Sequence, residues 1–69
     1  MYIVIEIQRS GEDTLAYLVS THTNINDAYS KFYLVLSAAA ISTIPIHGAT
    51  MLTETGEIVA NEYFRHEVA

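Results

Sequence analysis

The chain has no cysteine and no tryptophan, one proline, three glycines and only three basic residues among its 69. Without cysteine, neither a disulfide nor a thiolate metal cluster can brace so small a domain. Arg9, Lys31 and Arg65 are scattered, so no basic patch exists to neutralise phosphates, and direct nucleic-acid binding is not expected. Eight acidic residues bring the net charge to −5, but they too are dispersed, and solubility accounts for them. No basic-then-apolar leader precedes the first apolar segment, so no signal peptide is expected. The longest weakly polar stretch, Phe32 to Ile46, is interrupted by Ser37, Ser42, Thr43 and Pro45. It falls short of the roughly 20 apolar residues that span a bilayer. The expected compartment is the cytoplasm.

What the chain does have is apolar surface. Hydrophobic residues make up 51% of it and charged residues 16%, where about 25% charged is typical. A single domain of this length, residues 1–69, buries only about 60% of its unfolded surface. Its apolar content exceeds what one small core consumes, which points to self-association.

Residues Asn24 to Ile41, NINDAYSKFYLVLSAAAI, hold neither Gly nor Pro and are long enough for a substantial helix. Asn24 suits the N-cap and Asp27 the positive end of the helix dipole. At 100° per residue, Ile25, Ala28, Tyr29, Phe32, Val35, Leu36, Ala39 and Ala40 share one sector, while Leu34, Ala38 and Ile41 lie opposite. Ser42, Thr43 and Pro45 end the helix.

Met1 to Gln8 alternates strictly, with Ile3, Ile5 and Ile7 on one face and Tyr2, Val4, Glu6 and Gln8 on the other. The isoleucine face reads as the core face. After an RSGED turn, Thr14 to Thr21 returns as a second strand, with Ile7 expected opposite Leu15, Ile5 opposite Tyr17 and Ile3 opposite Val19. Arg9 and Asp13 are placed to pair across the mouth of that turn. Ile46 to Thr53 and Ile58 to His66 form a second hairpin through ETGE, with Met51 opposite Ala60, Ala49 opposite Glu62 and His47 opposite Phe64. Ala49, Met51, Ile58, Ala60 and Phe64 are expected to meet the helix, with Glu62 at the rim. Residues 67–69 are expected to fray.

The order is therefore ββαββ: an α+β fold with a four-stranded antiparallel sheet, strand order 2-1-3-4, and one helix on one face. The uncovered face is expected to carry Tyr2, Val4 and Leu18 and to form a homodimer contact, with Leu34 and Ile41 as a second apolar stripe.

Chemistry is sparsely indicated. His47 and His66 fall at one end of the sheet as diagonal neighbours, and with Glu62 or Glu67 they are the candidate metal ligands. The ordinary reading is two strand-end histidines, and no metal or other cofactor is expected. His22 lies at the opposite end. No GxSxG context surrounds any serine. The paired carboxylates Glu12–Asp13 and Glu54 with Glu57 sit in turns, where solvation keeps them ordinary acids. The glycines are isolated and build no phosphate cradle. Five tyrosines make no nucleic-acid stacking surface without interleaved basic residues; they fit a core or a protein interface.

The run LSAAAIST, followed by PIHGATML and a T-G-E turn before the last strand, resembles short uncharacterised proteins of gut bacteria and of their prophages and other mobile elements. The resemblance spans nearly the whole chain. It implies an accessory protein that acts through another protein, and it assigns no activity, cofactor or functional residue. The leading expectation is a non-enzymatic, homodimeric protein-binding module. The alternatives are a small-ligand or metal-binding module, or an anti-defence inhibitor that exploits acidic charge.

Overall fold

A computed structural model describes residues 1–11 and 14–66. The Asp13 partner proposed for Arg9, the Glu12–Asp13 pair, Glu67 and the fraying expected of 67–69 lie outside the described residues. The elements run β1 (Tyr2–Arg9), β2 (Leu15–His22), α1 (Ile25–Ala40), β3 (Ile46–Thr53) and β4 (Ile58–Arg65). They form a four-stranded antiparallel sheet in the order β2-β1-β3-β4 with the helix on one face. The expected α+β architecture and strand order are therefore the observed ones. No helix among the described residues is long and apolar enough to cross a membrane.

Local chemistry sets the boundaries. Asn24 is extended (φ −109°, ψ 131°), and its side-chain oxygen accepts from the Asn26 N–H at 2.7 Å, which satisfies one of the free donors of the first turn. At the far end the chain supplies no basic residue in the last turn. The ring of His66 takes that place, its Nε2 lying 2.8 Å from the Ala39 carbonyl. The His66 backbone N–H also donates to the Pro45 carbonyl at 2.7 Å, tying the end of β4 to the exit of the helix. In the β3–β4 turn Gly56 has φ +92°, a left-handed conformation that a side chain would strain.

The face that meets the helix is not the isoleucine face. Val4, Ala49 and Met51 are buried against Ala28, Phe32, Val35 and Ala39, and Tyr2 packs at the edge of this core. Val4 stands opposite Met51, and Glu6 opposite Ala49. The assignment of Tyr2 and Val4 to an uncovered dimer face is thus overturned. Both faces of β1 are apolar, so its sequence permits either choice. β2 and β3 run parallel on either side of β1, so the handedness of the β2–α1–β3 crossover decides which face the helix covers. Ala28 and Ala39 let the helix come close, and Val4 and Ala49 fill the narrow space that results.

Two registers also matter. Ile7 pairs with Tyr17 and Ile5 with Val19, two residues away from the expected alignment. The shift is even, so every side chain keeps its face. In the second hairpin His47–Phe64, Ala49–Glu62 and Met51–Ala60 pair as expected. An irregularity at Met51/Leu52 then sets Leu52 opposite Ile58. It brings Val59 against the core, while Ile58, expected there, is 70% exposed.

Candidate functional site

The alternation that buries Val4 sends the other half of each strand to a face without a helix. The register places Ile3, Ile5 and Ile7 of β1 beside Thr21, Val19 and Tyr17 of β2 and beside Leu52, Thr50 and Gly48 of β3. Tyr63 of β4 continues the row at Gly48. Four strands of eight residues give this face a footprint of roughly 500 Å² at ordinary strand spacing and rise. Arg9, Thr21, Thr50, Asn61 and Arg65 share the face by register and break its apolar area into smaller parts.

A shallow hollow of about 270 Å³ lies on this face, bordered by Ile7, Ile46, Thr50, Tyr63 and Arg65 and floored by Gly48. A Cβ on Gly48 would overlap the Glu62 carbonyl and the Tyr63 side chain. Glycine is needed here because neighbouring backbone comes too close for anything larger.

β2 carries a run of exposed apolar side chains. Leu15, Tyr17 and Val19 are 61%, 66% and 56% exposed on the open face, and Leu18 is 64% exposed on the helix side. Lys31 and Val35 mark the wall of α1 nearest β2, where they border a small cleft of about 80 Å³ with Val4, Leu18 and Ser20. Leu34 is one helical step from Lys31 and is also exposed, as is Ile41. β2 is therefore an outer strand with exposed apolar side chains on both faces, only Ser20 and His22 being partly covered.

The polar groups on the helix side are occupied with one another. Glu6 Oε2 accepts from Gln8 Nε2 at 2.9 Å and from His47 Nε2 at 2.7 Å. The carboxylate can only accept, so the Nε2 of His47 carries the proton. His47 is a buried polar residue. Its Nδ1 has no hydrogen-bond partner among the described residues. Burial pushes the Glu6 carboxyl upward, but the hydrogen bonds from His47 and Gln8 and the electrostatic attraction of His47 and Lys31 outweigh it and hold it below its ordinary value. At the other end Ser20 Oγ and His22 Nε2 lie 3.0 Å apart.

His47 and His66 keep the expected diagonal register but take different partners. His47 is turned to Glu6, whereas His66 is turned to the helix terminus and stacks on Phe64 with ring centroids 6.3 Å apart. The described residues contain no cluster of three His, Cys, Asp or Glu side chains placed to hold a metal. Of the expected contact residues, Leu18, Leu34 and Ile41 are exposed and Val4 is buried. Leu15, Tyr17, Val19 and Tyr63, which are also exposed, were not singled out as contact residues. No signal in the sequence marks them, because both faces of β1 are apolar. Comparison of the chain with family models, curated proteins and solved structures finds no match.

Proposed function

We propose that the protein is a small, non-enzymatic protein-binding module that works as a homodimer. The observation that carries this reading is the collection of exposed apolar side chains on β2 and the adjoining open face, led by Leu15, Tyr17, Leu18 and Val19. Apolar area of this kind is stabilised when a partner covers it. A second copy is always present, and a two-fold axis lets one patch cover itself. The isoleucine rows beyond β2 are left for another protein, in keeping with the resemblance to accessory proteins of mobile elements. A chain without cysteine suits the reducing cytoplasm. Light scattering across a concentration series tests the dimer directly. A mass near twice 7.7 kDa is expected at tens of micromolar, and a monomer throughout that range would refute the reading.

The hollow over Gly48 favours a second reading, a small apolar ligand held at the sheet surface. Its volume lies just under the roughly 300 Å³ at which ligand pockets usually begin. Saturable binding of an apolar dye that Tyr63→Ala abolishes would support it, and binding unaffected by that change would exclude it.

A further inference from the structure

We infer that the dimer forms edge to edge, β2 against β2 of a second copy, centred on Leu18, so that two four-stranded sheets become one of eight strands. The inference rests on the homodimer reading and specifies its geometry.

The two outer strands of the sheet are unlike. β4 carries Glu62 and Arg65, and its ladder is interrupted at Met51/Leu52. Charge and ladder irregularity are the usual devices that keep an edge from pairing. β2 has eight residues, LAYLVSTH, with no Asp, Glu, Lys, Arg, Pro or Gly, and its ladder with β1 runs without a shift. It is the unprotected edge.

The pairing with β1 fixes which β2 backbone groups are free. The Ser10 N–H donates to the Thr14 carbonyl at 3.2 Å, which makes 10 and 14 a hydrogen-bonded pair. Such pairs alternate along an antiparallel ladder. Ala16, Leu18, Ser20 and His22 therefore turn their N–H and C=O toward β1. Leu15, Tyr17, Val19 and Thr21 turn theirs outward.

Two copies related by a two-fold axis must join outward groups to outward groups, so odd residues pair with odd. Centring on Leu18 places Tyr17 opposite the second copy's Val19, and Leu15 opposite its Thr21, each twice by symmetry. About eight main-chain hydrogen bonds result, two for each hydrogen-bonded pair. Leu18 meets its own copy on the helix side as a close, non-hydrogen-bonded pair. Shifting the centre to Val19 would set Tyr17 against Thr21 and lose the apolar match. No charged side chain of β2 opposes the contact, and the charged, irregular β4 strands become the outer edges. The assembly therefore stops at two copies.

Four variants test this, each checked for folding by circular dichroism. Val19→Pro removes an outward N–H while leaving the β1 ladder intact, and it should give a monomer by light scattering. Tyr63→Lys, on the same face but remote from β2, should remain a dimer. Leu18→Cys, the sole thiol in its chain, should form a disulfide-linked dimer under mild oxidation. Its rate should exceed that of Tyr33→Cys on the exposed helix surface by on the order of tenfold, through effective concentration. A dimeric wild type with no such rate difference overturns the edge pairing and leaves the homodimer standing, and this holds even if Val19→Pro fails to fold. Loss of the dimer in Tyr63→Lys likewise overturns it in favour of face-to-face packing. A monomeric wild type overturns both.

Discussion

Replacing Met51 by alanine asks which face of the sheet is the core. Met51 is fully buried, opposite Val4 on one side and Ala60 on the other. Truncating it removes three side-chain heavy atoms and leaves a cavity beneath the helix that Phe32 and Val35 can fill only in part. Buried Met→Ala changes cost about 2–5 kcal/mol, and the close packing here places this one near about 3–4 kcal/mol. A chain of 69 residues has a total stability of about 3.5–10 kcal/mol. The variant should therefore be largely unfolded or have a much lower urea midpoint, with the slope of the transition unchanged. Ile5→Ala is the companion measurement. Ile5 is only half-buried on the open face, so its loss should cost about 1–2 kcal/mol from area alone. Urea melts at several protein concentrations separate folding from association. If Ile5→Ala proves as costly as Met51→Ala, the isoleucine face is the core and the reasoning fails.

Val4→Glu should abolish folding, because the carboxylate would be buried under α1 without a partner; Tyr17→Glu, at an exposed site, should fold, and a cooperative melt for the first variant would refute the assignment. Gly48→Ala should destabilise by about 1–3 kcal/mol, since its Cβ overlaps Glu62 and Tyr63 backbone and side-chain atoms; an unchanged urea midpoint would show that the strands have room there. The folded-state pKa of Glu6 is lowered, so its contribution is fully present above the ordinary carboxylate value and is lost as pH falls through the folded-state value. Glu6→Gln should therefore flatten the acid limb of the stability profile, and an acid limb identical to the wild type would remove Glu6 from the account.

The sequence by itself determined the elements and their order. Asn24 begins the helix, Pro45 forbids its continuation, the period-two runs make strands, and the T-G turn sets most of the β3–β4 register because a tight loop fixes its own alignment. The first hairpin was less legible, since Arg9 pairs with Leu15 and not with the residue that a Gly11-centred turn would set opposite it. The tertiary structure alone decided which face of β1 lies inside. That choice depends on crossover handedness and on the β1–β3 register, and no short loop connects those two strands. It is why three isoleucines that read as core are half-exposed and why Val4 is buried. The partner of His47 was hidden for the same reason: Glu6 lies 41 residues before His47, and only the β1–β3 ladder brings the two to hydrogen-bonding distance.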